Sequence, residues 1–381
     1  MRILLLANSS FMLVNFRAGL IARLLKDGHE LIAVAPRDSY SDRFVQWGVH
    51  FIDLPMNATG TSPLGELLLF TRVYHILRRE RPDAVFGYTI KPNIYGALSA
   101  RVNNVPFLPN VTGLGSVFDR EGLVKTVVTQ LYRLALRKCP RIFLQNPDDL
   151  ALFIDNGLAR DDQAFLLPGS GVDLSHFQAT PLPGKGNRVT FLLVARMLRE
   201  KGVEVFAQAA ALLRAEYPNA RFQLLGPIVE GKSASITRTE IDALIASGVV
   251  DYLGETQDVR PFIAASDCVV LPSFYREGTP RSLLEAGAMG RPIITTDMPG
   301  CRDVVSPGKS GYLVAPCDSL GLENAIRQFL SLPDDVRADM GSASRKWISE
   351  RFDETIVIDA YRHALEEFGW VMSQNRQVHS S

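Results

Sequence analysis

Short apolar runs alternate with helix-length stretches along this chain of 381 residues, and the alternation restarts once near its middle. In the first half, strand-like runs fall at 3–7, 31–35, 49–54, 84–87, 107–111, 142–145 and 164–167. Helical patterns fill the gaps at 15–27, 41–47, 64–79, 93–102, 123–138 and 148–156. Runs this short and apolar read as strands buried on both faces. Joining them in parallel needs crossover helices, so the pattern predicts a parallel sheet covered on both sides.

The turn-rich segment Pro181-Leu182-Pro183-Gly184-Lys185-Gly186-Asn187 breaks the series. Strands then resume at 190–195, 221–225, 249–252, 268–271, 292–296 and 311–314, with helices at 203–216, 240–247, 259–265, 282–289 and 320–330. The length suits two domains. The predicted division is 1–168, 169–355 and a closing segment 356–381, in which 356–371 has helical apolar spacing and 373–381 reads as a disordered tail. Two doubly wound domains in series imply a ligand crevice at the carboxyl ends of their strands.

Composition narrows the class. With 41 Lys+Arg against 41 Asp+Glu the chain carries no net charge, and no nucleic-acid partner is expected. The first 168 residues hold a slight basic surplus, 19 Lys+Arg against 15 Asp+Glu. The four cysteines, Cys139, Cys268, Cys301 and Cys317, lie too far apart for a zinc site and give no sign of an oxidising compartment. No apolar run reaches 18 residues and the opening Met1–Ala7 segment is too short for a signal peptide, so a cytoplasmic chain without a membrane span is expected.

The stretch from Glu277 to Glu285 holds the sharpest chemical signal. It places two acids eight positions apart across a strand-to-helix turn. Thr279 suits an N-cap and Pro280 the first helical position. The new helix would aim its unpaired N–H groups and positive dipole end at an anion, with one glutamate before it and one inside it. A sugar carrying phosphate fits that layout better than bare phosphate.

With its flanks, Ser266–Ser273 before and Ala286–Asp297, Pro299-Gly300-Cys301 and Gly308–Val314 after, this stretch resembles the E-x7-E signature of the family 4 retaining glycosyltransferases. The resemblance covers nearly the whole chain and is tightest over 190–320. It implies an α/β GT-B fold: two facing Rossmann-like, doubly wound domains with an interdomain cleft, acceptor domain first and nucleotide-sugar domain second. It also implies that the terminal helix returns to the first domain.

Arg196 and Lys201 follow the strand at 190–195. Two cations fixed at a strand end can stabilise the charge growing on a departing diphosphate. Arg offers a bidentate fork and Lys a compact point charge. The pair resembles the family's diphosphate-binding residues, while Arg199 between them is expected to face solvent. The resemblance puts Glu277 near the donor sugar's hydroxyls and the diphosphate, and Glu285 against the ribose hydroxyls. Backbone N–H groups of Gly278, Thr279, Ser282 and Leu283 would serve sugar and phosphate. The base-binding segments would contain Gly226, Gly254 and Thr256. Retention is consistent with attack on the face the diphosphate leaves, whose own oxygen takes the acceptor proton; no carboxylate nucleophile is needed. No D-x-D or H-E-x-x-H motif occurs, so neither metal nor other cofactor is expected.

The first half departs from the broader family. Asn8-Ser9-Ser10 stands where a glycine-rich loop is common, and Val111–Ser116 lacks the usual histidine. Those segments, with Asn15-Phe16-Arg17 and Tyr88–Gly96, resemble a bacterial subgroup that adds N-acetylhexosamines to polyprenyl-diphosphate-linked sugars in surface-glycan assembly. In that reading Arg17, Lys91, Asn93, Thr112 and Gly113 face the acceptor. The bland alternative makes Arg17 and Lys91 surface charges and Pro92 a helix N1 residue. Likewise the basic amphipathic stretch 123–138 suits either the inner-membrane surface or ordinary core packing.

The expected donor is UDP-linked and the expected acceptor a lipid-linked sugar. The other readings are a non-lipid acceptor, a nucleotide-sugar epimerase of the same fold, and a non-catalytic sugar-binding module. An epimerase would want acids and histidines lining the crevice, and few are present.

Overall fold

The apolar runs become parallel strands. In the computed structural model, residues 1–57, 62–114, 123–183, 188–229 and 234–378 are described, with side chains described except at 123, 124 and beyond Glu367. The chain divides into two compact units: Met1–Ser170 with Glu354–Ser381, and Gly171–Asp353.

In the first unit, β1 (Arg2–Leu6), β2 (Glu30–Ala35), β3 (His50–Asp53), β4 (Ala84–Tyr88), β5 (Phe107–Val111), β6 (Ile142–Leu144) and β7 (Ala164–Leu166) form one sheet in the order β3-β2-β1-β4-β5-β6-β7. All neighbours are parallel, and the strand order reverses between β1 and β4. Helices Pro63–Glu80, Ile90–Val102 and Leu123–Leu136 cover one face, burying Leu69, Val73, Leu77, Ile94, Ala97 and Tyr132. The other face carries Ala18–Lys26 and the terminal helix Glu354–Val378. Tyr361 anchors that terminal helix: its ring centroid lies 4.7 Å from those of Phe86 and Phe143, and Asn110 Nδ2 donates to its hydroxyl at 3.0 Å.

Three local expectations change here. The helix foreseen at 15–27 is two, Ser10–Phe16 and Ala18–Lys26, because Ser9 accepts from Met12 N and starts a helix earlier, while Arg17 at φ −132° breaks the run. The helix after β4 begins at Ile90, so Pro92 is its third residue, not N1. The terminal helix runs on to Val378 through much of the stretch read as tail, and 379–381 lie outside the described residues.

The second unit holds β8 (Val189–Val194), β9 (Ala220–Leu225), β10 (Asp251–Tyr252), β11 (Cys268–Leu271), β12 (Ile293–Thr296) and β13 (Gly311–Val314). They form a parallel sheet in the order β10-β9-β8-β11-β12-β13, reversing between β8 and β11. Helices Val203–Leu213, Arg238–Ala246, Arg260–Ala264, Arg281–Ala288 and Ser319–Leu330 lie where periodicity places them, within a few residues. The 18-residue helix Asp334–Arg351 was not expected. It buries Met340, Gly341, Ser344 and Ile348, so its inner face is half small residues and shows no apolar stripe in the sequence. Among the described residues no helix is long and apolar enough to cross a membrane.

Candidate active site

Where strand order reverses, the loops leaving two adjacent strands run to opposite sides and open a space that side chains from both can enter. In the second unit those are the loops after β8 and β11. The first passes Arg196 and tightens into a 3-10 turn, Arg199–Lys201, closed by Gly202 at φ 76°. A side chain at Gly202 would put its Cβ 2.1 Å from Pro272 O, so glycine is what lets the two loops touch.

They are laced together. Phe274 N and Ser273 Oγ both donate to Glu200 O at 3.1 Å. The lacing sets Lys201 Nζ on Glu277 Oε1, and Ser273 Oγ, which shares its one hydrogen with Glu200 O, lies 3.0 Å from the same oxygen. Lys201 Nζ also lies 5.5 Å from the Tyr275 ring centroid. The paired side chains are only 13% and 12% exposed. Arg196 is exposed, and among the described residues its guanidinium has no ion-pair or hydrogen-bond partner. The site thus presents one cation neutralised by an acid and a second cation open to a ligand.

The helix after Glu277 begins at Arg281. Pro280, at φ −64° and ψ 117°, is its N-cap, so Thr279 sits one residue outside and Pro280 is not in the first turn as expected. Leu283 N donates to Pro280 O at 3.1 Å, which removes it from the expected donors to sugar or phosphate. Ser282 is half-buried at the second helical position, where an N–H has no partner four residues back. Gly278 is backed by Gly300, whose φ is 79° and whose Cβ, if present, would meet Gly278 O at 2.2 Å.

Glu285 lies on the same helix, paired with Arg281 Nε at 2.9 Å; the two side chains are 14% and 18% exposed. Burial pushes the Glu285 carboxyl above its ordinary range, while the Arg281 charge and hydrogen bond pull it back. Arg281 also donates to Gly171 O at 3.0 Å and lies 5.9 Å from the Phe177 ring centroid. Sequence reasoning missed Arg281 and Ser273. The signal was present: each stands four positions before a singled-out glutamate.

At the neighbouring strand ends, Gly226 N donates to Gly254 O at 2.8 Å and Tyr252 Oη to Gly226 O at 2.9 Å, so these two turns are knitted to each other. Thr256 closes its own turn: its Oγ1 accepts from Asp258 N at 3.1 Å and donates to Asp258 O at 3.0 Å. Arg199 does not simply face solvent. It bridges Glu204 and Glu240, and Glu240 also completes the capping box with Thr237. These hydrogen bonds hold the Glu240 carboxyl down at about 2, the Thr237 bonds contributing most.

In the first unit the expected acceptor residues lie at the carboxyl ends of β4 and β5, with differing exposure. Arg17 is only 2% exposed, with its guanidinium carbon 4.7 Å from the Tyr88 ring centroid. Asn93 is fully buried, and its Nδ2 donates to Asn110 O at 2.9 Å. Lys91 is paired with Glu66 and donates to Asn57 O at 2.7 Å. Arg17 and Asn93, expected to face an acceptor, are therefore internal, and Arg17 is not the surface charge of the bland alternative either. Thr112 and Gly113 stay half-exposed just beyond β5. The rest of that loop, 115–122, lies outside the described residues.

Two doubly wound parallel sheets in series, with a cation–acid pair where the second one reverses, define the Rossmann-like class of GT-B architecture. The Glycosyl transferase 4-like domain model matches residues 15–169 and the Glycosyl transferases group 1 model residues 177–347. Between them these span most of the chain, and it belongs to the glycosyltransferases built from these two domains.

Over 377 residues it is 25% identical to the N,N'-diacetylbacillosaminyl-diphospho-undecaprenol alpha-1,3-N-acetylgalactosaminyltransferase of Campylobacter jejuni, covering 95% of this chain and 97% of the relative. It is also 25% identical to the UDP-Gal:alpha-D-GlcNAc-diphosphoundecaprenol alpha-1,3-galactosyltransferase of Escherichia coli, over 74% of each chain. Among solved structures, HepE from Anabaena in complex with UDP superposes with a TM-score of 0.78 at 20% identity, covering 96% of this chain and all of the other. WaaG, a glycosyltransferase involved in lipopolysaccharide biosynthesis, superposes with a TM-score of 0.71 at 16% identity, covering 94% and 98%.

Proposed function

We propose that this glycosyltransferase moves an N-acetylhexosamine, with retention, from a UDP-linked donor to a lipid-linked sugar during bacterial surface-glycan assembly. The observation that carries the reading is the Lys201–Glu277 pair at the β8/β11 reversal, with Arg196 exposed on the loop that leaves β8. Support for donor and acceptor comes from the relatives, whose names specify undecaprenyl-diphosphate-linked sugars and, for one, a UDP-sugar.

In this reading the diphosphate lies between Arg196 and Lys201. Arg196 meets it with an exposed fork, and Lys201 turns part of its charge from Glu277 toward the phosphate oxygens. Because Lys201 is fixed beforehand, charge growing on the leaving group is met there without reorganisation, and Arg196 adds its fork from the neighbouring loop position. Glu277, held in place by Ser273, serves a sugar hydroxyl. Glu285 accepts from the ribose hydroxyls. The acceptor hydroxyl attacks from the face the diphosphate leaves and gives its proton to a diphosphate oxygen. The two cations supply the positive charge, so the chemistry needs no metal ion. The N-terminal unit holds the acceptor, with Thr112 and Gly113 within its reach, and the enzyme works on the cytoplasmic side at the inner-membrane surface.

The test is incubation with UDP-, GDP- and TDP-sugars, with and without a membrane extract, in chelator. Nucleoside diphosphate released from a UDP-N-acetylhexosamine only when extract is present is the expected result. Release with a soluble glycan alone would replace the lipid acceptor. Epimerisation of the donor without release would reject transfer.

A further inference from the structure

The strand that leads to Thr112 and Gly113 is secured by side chains where its ladder is interrupted. β5 carries Pro109, which has no N–H to give a neighbouring strand, and it ends two residues later at Val111. Asn110 stands between them, fully buried. Its backbone oxygen accepts from Asn93 Nδ2 at 2.9 Å and its Oδ1 from Gln145 Nε2 at 3.0 Å. Its own Nδ2 donates to Tyr361 Oη at 3.0 Å. Four elements thus meet at one residue: the helix after β4, the ends of β5 and β6, and the terminal helix.

Burying an amide costs its hydration, and an apolar residue would fill the same place at lower cost. What the amide adds is direction, because a buried polar network whose partners are met specifies one arrangement. Tyr361 supplies the partner from farthest along the chain, 251 positions from Asn110. Its ring packs against Phe86 and Phe143 and lies 6.5 Å from that of Tyr88, over which Arg17 sits. That ring alone would hold the terminal helix on the sheet. The hydroxyl is the part that packing does not explain, and its partner is Asn110.

We propose that Tyr361 is a positioning residue for the acceptor: its hydroxyl, through Asn110, holds the end of β5 and so sets the Thr112–Gly113 turn against which the acceptor lies. The terminal helix is then a working part of the first unit's site as well as a prop for its sheet. This rests on the first unit holding the acceptor, as read above. Tyr361 itself touches no substrate and acts only through Asn110. Tyr361→Phe keeps the ring and leaves Asn110 Nδ2 buried without that acceptor, a costly state that the amide relieves by turning. Its bonds to Gln145 and Asn93 then shift with it.

The experiment is steady-state transfer by the full chain from a UDP-N-acetylhexosamine, varying in turn the donor and the membrane lipid extract that supplies the acceptor. Tyr361→Phe should raise the apparent acceptor KM at least ~10-fold, since displacement of a positioning group by about 1 Å is enough for that, and leave donor KM unchanged. Phe143→Leu is the control. It removes a ring beside Tyr361 and keeps the hydroxyl, so it should lower the melting temperature and leave both KM values unchanged. Should Tyr361→Phe fold poorly, Gln145→Leu breaks the same amide from its other side, with the same split expected. Equal acceptor KM shifts in Tyr361→Phe and Phe143→Leu would overturn the proposal, because loosened packing would then account for both. An unshifted acceptor KM would overturn it too, as would an equal rise in donor KM. If the unmodified chain takes no acceptor from the extract but glycosylates a soluble glycan, the lipid-acceptor reading fails and the same comparison on that glycan decides the role of Tyr361. A chain that transfers to neither sinks both.

Discussion

Lys201 Nζ rests on Glu277 Oε1 although 76 positions separate the two residues along the chain. The pair joins the loops after β8 and β11, and its side chains are almost out of solvent. Removing one member strands the other's charge, which costs about 3 kcal/mol in such surroundings. Lys201→Met should therefore lower the unfolding free energy by roughly that amount and also lower turnover by ~10²–10³. Lys201→Met/Glu277→Leu should regain most of the stability and none of the turnover. Denaturant melts beside initial rates separate the two effects; a double variant that regains activity would show the pair to be structural only.

Arg196 gives the opposite profile. Exposed and without a partner among the described residues, it adds little to stability. Arg196→Ala should leave the melting temperature unchanged and reduce kcat by ~10²–10³, the loss expected for one donor to a charged leaving group. Arg196→Lys should recover only part, because a point charge replaces a bidentate fork. Unchanged turnover in the alanine variant would remove Arg196 from the chemistry.

How much of this was legible in advance depended on whether a feature is local. Buried parallel strands announce themselves as apolar runs, and the nine residues Glu277–Glu285 carry enough turn chemistry to mark a site. The β8/β11 reversal that brings Lys201 to Glu277 is topological, and only the spacing of the motifs hinted at it. Helix Asp334–Arg351 was hidden because Gly341 and Ser344 pack where a leucine would have shown. Arg17 was misplaced for a different reason. A serine N-cap at Ser9 moves the helix start forward and leaves Arg17 between two helices, where the ring of Tyr88, on β4, receives it. The cap competes with the apolar period, and period alone favoured one helix over 15–27.

Glu285 makes a pH prediction. Burial raises its folded pKa above the ordinary value of 4.5, and Arg281 limits the rise. An acid with a raised folded pKa binds protons more readily in the folded state. Its contribution to stability is therefore fully present below the unfolded pKa and is lost as pH rises through the folded one. In the proposed role of Glu285 at the ribose, donor binding runs the other way, since only the ionised carboxylate would accept from both ribose hydroxyls. Donor KM should rise on acidification, beginning above the usual carboxylate range, and Arg281→Gln should move that rise to higher pH with little change in kcat at alkaline pH. A KM profile identical in the two proteins would remove Arg281 as the residue that keeps Glu285 charged.

Gly300 tests whether the turn holding Glu277 and Gly278 must keep its shape. Its φ of 79° strains any other residue, and a Cβ would strike Gly278 O at 2.2 Å and Glu277 O at 2.8 Å. Gly308 is the matched control: its φ is 73°, with nothing within 4 Å of the added carbon. Gly308→Ala should cost about 1 kcal/mol from backbone strain and leave kinetics intact. Gly300→Ala carries the same strain and in addition must displace the turn that holds Glu277 and Gly278. Its loss of stability should exceed the control's by at least ~1 kcal/mol, and kcat/KM should fall at least ~10-fold, since a shift of about 1 Å in a positioning group is enough for that. Equal behaviour of the two alanine variants would mean that the turn yields without disturbing the site, and that Glu277 is not held there by its backbone.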